Sequence, residues 1–546
     1  MATSSAPVSR PESTPGLDYD TIIIGAGISG LYQLYCLRKI GQKVRVFEAG
    51  TGVGGTWYWN RYPGCRFDSE SYSYGYSFSQ ELLDAWDWTE HFAPQTETER
   101  YLNHVADTFD LRRDIQLRSR VRAAAFDEAR TAWEIALEDG RRYRSRSLVT
   151  AVGPLSAPTM PRIAGVDDFE GEAYHTGLWP KHPVTFAGKR VAVIGTGATG
   201  VQAIQEIAKT AGHLTVFQRR PNWCTPLHNR PIPKEEMDEI RKGYPELFAR
   251  CQETAACFVH TTDPRNTFEV SEEERRAFWE KLYASPGFEI WMGNFRDMLI
   301  DPAANALFSD FVASKIRQRV NDPKVADMLI PKDHGFGTRR VPQETHYYEV
   351  YNQPNVELVS ILDTPIERIT RHGLKTSDRE IEFDIIVYAT GFDAITGSFD
   401  RIDIRGRGGQ ALKDRWKGGP STFIGVMVDG FPNMFMVMGP HTALGNIPRS
   451  IEYNVEWIRD LLGYMDERGL SVADAGREAV DEWTAFVKKK GEGLLSNEVD
   501  SWMTGVNMNV EGKHVRIIAR YSGTAPEYRE WCDRVAASGY RGVAFE

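Results

Sequence analysis

The chain has 546 residues, 41% of them hydrophobic and 26% charged, enough to bury the cores of roughly three to four domains. Its formal net charge of −10 gives no electrostatic reason to expect nucleic acid or an anionic membrane as a partner. Six scattered cysteines without a C-x-x-C pair argue against zinc ribbons and thioredoxin-type redox pairs, and no apolar run approaches the roughly 18 residues of a membrane span.

Residues 1–17 are polar and proline-containing, lack the apolar core of a signal peptide, and read as a disordered leader. Together with thiols expected to be reduced, this points to a cytoplasmic protein. Tyr19–Ile24 is an apolar run too short for a helix, so a buried parallel strand is predicted. The turn Gly25-Ala-Gly-Ile-Ser-Gly30 follows, then the helical pattern LYQLYCLRKI closed by Gly41, then a strand Val44–Phe47 ending in Glu48. Gly25, Gly27 and Gly30 permit a tight turn and close approach of the backbone to a pyrophosphate at a helix N-terminus. Glu48 stands where a carboxylate accepts hydrogen bonds from ribose hydroxyls. A lone glycine motif is a weak signal; strand, turn, helix and acid in this order make a dinucleotide site.

A second glycine cluster, Gly52-Val-Gly-Gly-Thr-Trp57, comes soon after. Gly55, Thr56 and Trp57, with Tyr58, Trp59 and Tyr62, are candidates to hold and wall an isoalloxazine ring. That assigns the first dinucleotide site to FAD. The strand-like segments Ser147–Pro154 and Ile385–Phe392 resemble each other and bracket the next unit.

That unit repeats the first. A strand Lys189–Ile194 runs into Gly195-Thr196-Gly197-Ala-Thr-Gly200, a helix over VQAIQEIAKTAG and a strand Leu214–Phe217. Where the first unit has Glu48, this one has Gln218, Arg219 and Arg220. A guanidinium pairs bidentately with phosphate, whereas Glu48 would repel it, so the second site is expected to take NADP. The plainer alternative is that both arginines are surface charges. Residues 223–332 are helical and charged with no strand signal, a further apolar strand is predicted within Gly430–Pro440, and a long amphipathic helix follows, closed at Gly469. The fold class is α/β: two Rossmann-like dinucleotide-binding domains with a helical insert. The expected boundaries are 18–153 with 390–546 for FAD, 154–222 with 333–389 for NADP, and 223–332 for the insert.

Just before the second turn lies Phe169-x-Gly171-x-x-x-His175-x-x-x-Trp179-Pro180. With two dinucleotide turns, Gly54-Gly-Thr-Trp57, the run Tyr62–Ser71, Lys332–Val341 and Ala389–Asp393, this chain resembles the type I Baeyer–Villiger monooxygenases over almost its whole length. The resemblance implies a monooxygenase that uses FAD and NADPH to insert one oxygen of O2 beside a ketone carbonyl, through an anionic C4a-peroxyflavin. It implies sulfoxidation as a side activity; the aromatic-rich helical insert and the altered loops point to cyclic or bulky ketones as substrates, and a monomer or homodimer is expected.

Carried over by position, the resemblance makes Arg340 the cation beside the flavin oxygen adduct and Asp68 its partner, which also helps Arg340 admit the nicotinamide. It places Arg339 with Arg219 on the NADP 2′-phosphate, and Trp502 in a C-terminal loop over substrate and NADP. Leu444 and Met438 would face the ketone. Phe169, Gly171, His175 and Trp179 would lie in the linker between the cofactor domains, with His175 and Trp179 coupling domain movement to NADP binding; the alternative is a satisfied packing histidine and a core tryptophan. The C-terminal loop, Trp502–Lys513, is two residues longer than the family pattern and lacks its proline, which bears on substrate range, and His441 has no role assigned by the resemblance.

Three other readings compete. A flavin-dependent N- or S-oxygenase would keep its oxygen adduct protonated and need no Arg340. A disulfide reductase would need a cysteine pair that is missing here. A non-catalytic cofactor-binding protein would take up no oxygen with NADPH. No metal is expected.

Overall fold

A computed structural model describes residues 16–546 of the chain; the leader expected at 1–17 lies outside the described residues except for Gly16 and Leu17. Two sheets organise the molecule. The first is eight-stranded. Its centre is β1 (Tyr19–Ile24), parallel to β2 (Val44–Phe47) on one side and to β6 (Arg142–Thr150) on the other. β2 continues to β3 (Ile115–Gln116), and β6 to a hairpin of β5 (Ala132–Leu137) and β4 (Val121–Asp127). Late in the chain, Met434–Met436 adds in parallel to β6 and Asp403–Arg405 to β4. Ile22, Ile23, Val46, Leu148 and Val149 are wholly buried, as expected of strands covered on both faces.

The second sheet is five-stranded and entirely parallel, in the order Val356–Ser360, β9 (His213–Gln218), β8 (Arg190–Ile194), Ile385–Tyr388 and β7 (Glu172–His175). The helices after the two glycine turns run over Ile28–Lys39 and Ala198–Ile207. The second begins and ends earlier than the apolar pattern suggested, because its first turn is built on the glycine loop itself.

Two expectations are corrected. The fingerprint segment is more than linker: its residues Glu172–His175 form the edge strand of the second sheet. The helical region 223–332 carries helices, including Pro302–Arg319, but also a two-residue strand, Thr225–Pro226, paired to Gln343–Glu344. Two residues are too few to show alternation. The amphipathic helix runs over Ile447–Arg468 and stops at Gly469 in the left-handed conformation.

Candidate active site

The two glycine turns are structural twins. Gly25 and Gly195 have φ of 105° and 113°, and a Cβ on either would lie 2.5 Å from the Ala151 carbonyl oxygen or 2.4 Å from that of Ala389. Ala151 and Ala389 end the two look-alike strands noted in the sequence, and each donates its N–H to the carbonyl of the last residue of the neighbouring strand, Ile24 or Ile194, at 2.9 Å. Gly30 and Gly200 let each helix close on its turn: a Cβ there would strike the Gly25 or Gly195 carbonyl at 1.8 or 2.3 Å. The middle glycines differ. A Cβ on Gly27 would meet Gly55 Cα at 3.2 Å, so the second glycine cluster rests directly on the first turn. A Cβ on Gly197 would meet nothing within 4 Å. That open space above a helix N-terminus, with Thr196 held by its hydroxyl on the Arg220 carbonyl at 3.1 Å, fits a pyrophosphate.

Gly25, Gly27, Glu48, Gly55, Thr56, Trp57 and Met438 line one cleft, whereas Gly30 lies packed beneath it. The Glu48 carboxylate is buried and accepts the N–H groups of Ala26 and Gly50 at 2.9 and 2.6 Å. Burial pushes its carboxyl above the ordinary value, and these two donors work against that shift. Each oxygen keeps a lone pair for a further donor, such as a ribose hydroxyl. Trp57 and Trp59 line the cleft, with Trp57 Nε1 donating to Tyr74 Oη at 3.2 Å. Tyr58 and Tyr62, counted with the aromatic wall, do not line it. Tyr58 lies under Gly50 and Gly52 and bonds Thr51, while Tyr62 donates to Gln202 at 2.7 Å. Asn60, Arg120 and Ile447 also line the cleft and were missed, since nothing local marks them.

On the second side, Arg220 and Arg339 both reach Asp333 Oδ2 at 3.2 Å. Arg219 stands beside them with no ion pair among the described residues. Two guanidiniums thus share one carboxylate, with a third positive charge beside them. Burial lowers the Arg339 pKa, with Arg220 and Arg219 adding to the effect and Asp333 opposing it, and its Nε is buried without a partner. Unmatched donors and uncompensated positive charge fit a phosphate monoester.

Arg340 is tied to both units through Asp68. Its Nη2 donates to Asp68 Oδ2 at 2.8 Å, its Nη1 to the Val341 carbonyl, and its guanidinium lies 4.7 Å from the centre of the Phe288 ring. The Asp68 side chain is 4% exposed and that of Arg340 29%. Burial pushes the Asp68 carboxyl up and Arg340 pulls it back. Asp68 also accepts from Gln343 N at 3.3 Å and Gln202 Nε2 at 3.5 Å. Gln202 belongs to the helix after the second glycine turn and Asp68 follows the first, so this carboxylate joins both units. Gln202, Gln343 and Phe288 had no sequence signal.

Phe169 and Gly171 explain one another: a Cβ on Gly171 would sit 2.5 Å from the Phe169 ring. His175 is buried, accepts the Gly177 N–H on Nδ1 at 2.9 Å, meets the Phe392 ring edge to face, and leaves Nε2 unpartnered. Trp179 packs between Tyr174 and Phe186. Lys181, just beyond Pro180, reaches Thr51 at 2.8 Å and lies over the Tyr58 ring. The fingerprint therefore runs from the second sheet to the flavin-side glycine cluster. Trp502 packs with Leu155 and Ile517 on Ala394, Ile395 and Ala519. Its loop holds the crossover between the sheets, with Asn507 on the Phe392 carbonyl at 2.9 Å and Lys513 on Asp393 at 2.6 Å. Leu444 is partly buried and is not brought to the cleft that Met438 lines.

Two parallel nucleotide folds, one with an acid for unphosphorylated ribose and one with a guanidinium cluster, define a flavoprotein oxidoreductase that draws electrons from a phosphorylated nicotinamide nucleotide. Residues 20–235 match the flavin-binding monooxygenase-like family. The chain is 46% identical to the 2-oxo-Δ3-4,5,5-trimethylcyclopentenylacetyl-CoA monooxygenase of Pseudomonas putida, covering 98% of this chain and 99% of that one. It is 42% identical to the phenazine N-monooxygenase PhzNO1 of Lysobacter antibioticus, covering 96% of each. To a Baeyer–Villiger monooxygenase of Pseudooceanicola batsensis it is 39% identical over 97% of each. A crystal structure of OTEMO with FAD and NADP superposes with a TM-score of 0.94 at 45% identity, covering 97% of this chain and all of that one. The chain belongs to the Baeyer–Villiger monooxygenases. It is an FAD enzyme that consumes NADPH and O2 and places one oxygen atom beside a ketone carbonyl, giving an ester or lactone. Among the described residues no helix is long and apolar enough to cross a membrane.

Proposed function

We propose that Arg340 is the cation against which the carbonyl attack is carried out, and that its placement between Asp68 and Phe288 is the observation that carries this role. FAD, reduced by NADPH, supplies the electrons that activate O2. Attack on a ketone carbon needs an oxygen nucleophile that keeps its negative charge in a site shielded from water. A guanidinium cannot lose its proton under working conditions, and one fixed beforehand stabilises that charge without reorganising. Asp68 fixes one edge of it, the Val341 carbonyl a second group and Phe288 one face. Glu48 with the turn at Gly25, Gly27 and Gly30 holds the flavin adenosine and pyrophosphate, and Gly55, Thr56 and Trp57 the ring system. Thr196, Gly197 and Gly200 hold the pyrophosphate of NADPH, and Arg219 and Arg339 its 2′-phosphate. Phe169, Gly171, His175 and Trp179 transmit the relative position of the two nucleotide folds, and Trp502 seats its loop on their crossover.

The substrate we infer is a cyclic or bulky ketone, bound near Met438; the ring-ketone name of the Pseudomonas relative supports this. Sulfoxidation is expected as a side activity, in a cytoplasmic monomer or homodimer. A second reading, N-oxygenation, has the Lysobacter relative behind it. It needs no fixed cation next to the oxygen. A panel of ketones from small rings to steroids, followed by NADPH loss and product mass, separates the two. Ester formed by the wild type and lost in Arg340→Ala supports the ketone reading; oxygen uptake ending only in hydrogen peroxide with every ketone, or ester still formed normally by Arg340→Ala, overturns it.

A further inference from the structure

The segment Met438–Asn446 leaves the strand Met434–Met436 and enters the helix Ile447–Arg468, passing the flavin-side cleft at Met438. Two of its residues, Met438 and His441, have φ of 58° and 70°. Left-handed backbone at non-glycine residues persists only where the surroundings enforce it. At Met438 the enforcing group is Asn454 Oδ1, which accepts the Met438 N–H at 3.3 Å.

At His441 the enforcing groups come from the C-terminal segment. The His441 N–H donates to the Ala519 carbonyl at 3.2 Å, and ring Nε2 lies 3.0 Å from the Ile518 carbonyl. A carbonyl only accepts, so Nε2 carries the proton and Nδ1 is left as an acceptor 3.3 Å from Thr422 Oγ1, whose hydroxyl also reaches the Pro440 carbonyl at 3.2 Å. The residue is 1% exposed. Burial, with Lys488 adding to it and the Ile518 carbonyl opposing it, holds the ring at about 4, so it is neutral near pH 7. Two residues on, Ala443 bridges to Tyr521.

Ile518 and Ala519 follow Ile517, whose N–H donates to the Thr504 carbonyl at 2.9 Å and whose side chain fills the space over Gly505. This contact closes the base of the loop 502–513. The loop's far side holds Phe392 and Asp393 at the crossover between the sheets. A continuous path therefore joins Met438 at the cleft to the crossover, and the His441 ring is a side-chain link on it between the segments 438–446 and 517–521.

We propose that His441 is a positioning residue: its imidazole locks the segment 438–446 to 517–521, so that the geometry of the ketone site follows the seating of the loop 502–513. This rests on the reading that Met438 faces the ketone. It predicts a defect confined to ketone binding, with the transfer of electrons from NADPH untouched.

The test uses the full-length, FAD-loaded enzyme as His441→Gly, which keeps the backbone conformation and removes the ring, and His441→Asn, which tolerates that conformation and keeps a hydrogen-bonding side chain. In His441→Gly, flavin reduction by NADPH without oxygen is expected to stay within about twofold of wild type. The ketone KM should rise about fivefold, the loss of one buried hydrogen bond, with kcat changed less. Hydrogen exchange should quicken in 438–446 and 502–521 and nowhere else, and His441→Asn should recover most of each effect. An unchanged KM overturns the proposal, as does exchange that quickens uniformly over the chain or stays at the wild-type rate in 502–521. If His441→Gly does not fold, a His441→Asn enzyme whose ketone KM is about fivefold or more above wild type also overturns it. A wild type that oxygenates no ketone would sink the parent reading alone, because the exchange measurement still tests the lock.

Discussion

Arg340 Nη2 lies 2.8 Å from Asp68 Oδ2 across 272 residues of sequence. The carboxylate is buried and the guanidinium is partly exposed. A buried charge left without its partner is costly, so the pair constrains both residues. Arg340→Ala is expected to keep NADPH-driven flavin reduction and to lose ester formation by about a thousandfold, the scale of losing a key electrostatic donor to a transition state. Asp68→Asn, which keeps an acceptor without the charge, should lower it about tenfold to hundredfold. Single-turnover flavin reduction and ester yield, measured separately, check both; a parallel loss of the two rates in Arg340→Ala would show a wrong assignment.

The arginine cluster sets the choice of nicotinamide nucleotide. Arg219 has no ion pair among the described residues and Arg339 keeps a buried Nε without a partner. Arg219→Ala and Arg339→Ala should each raise the KM for NADPH about tenfold or more, the worth of one charge-assisted hydrogen bond, and leave the KM for NADH nearly unchanged. Equal effects on both nucleotides would point to a folding defect.

The twin turns separate steric from binding roles of glycine. Gly195→Ala would push a methyl to 2.4 Å from the Ala389 carbonyl, and Gly25→Ala to 2.5 Å from that of Ala151. Both are expected to destabilise the fold, by about 1–3 kcal/mol or more. Gly197→Ala meets no protein atom within 4 Å and should melt like the wild type, yet bind NADPH at least about tenfold more weakly. Thermal melts beside NADPH titrations decide, and normal NADPH affinity in Gly197→Ala would remove the pyrophosphate from that space.

Three buried histidines are expected to lower stability in acid. Burial lowers His175, His334 and His441 from 6.5 to about 4. A folded-state value below the unfolded one contributes stability that is complete above pH 6.5 and is lost as pH falls through about 4. Each histidine accounts for a loss on the order of 3 kcal/mol once pH is below the folded value. Urea unfolding should therefore show a falling midpoint from pH 7 to pH 5, and a flat midpoint over that range would refute the buried-histidine explanation.

Both nucleotide units were legible from local pattern. Tyr19–Ile24 and Val44–Phe47 are the strands expected, because apolar run, glycine turn and helix are contiguous in the chain. The likeness of Ser147–Pro154 to Ile385–Phe392 also had a structural meaning, since Ala151 and Ala389 close the two turns in the same way. The fingerprint was visible as a motif but not as a strand: β7 is four residues long and stays at a sheet edge. Tyr58 and Tyr62 looked like cofactor wall but do not line the cleft, because packing turns Tyr58 under Gly50 and Gly52 and Tyr62 toward Gln202.

The sequence alone determined that the chain carries two dinucleotide turns of opposite charge preference, since each is encoded within a stretch of about 30 residues and rests on glycine sterics and one or two charges. Only the tertiary structure decided that Asp68 and Gln202 meet, that Phe288 covers Arg340, that Lys181 touches the flavin-side cluster and that His441 holds the C-terminal segment. These contacts join residues far apart in the chain, so no local propensity or spacing specifies them; they exist because two sheets and a helical region bury a shared surface and bring those side chains within reach.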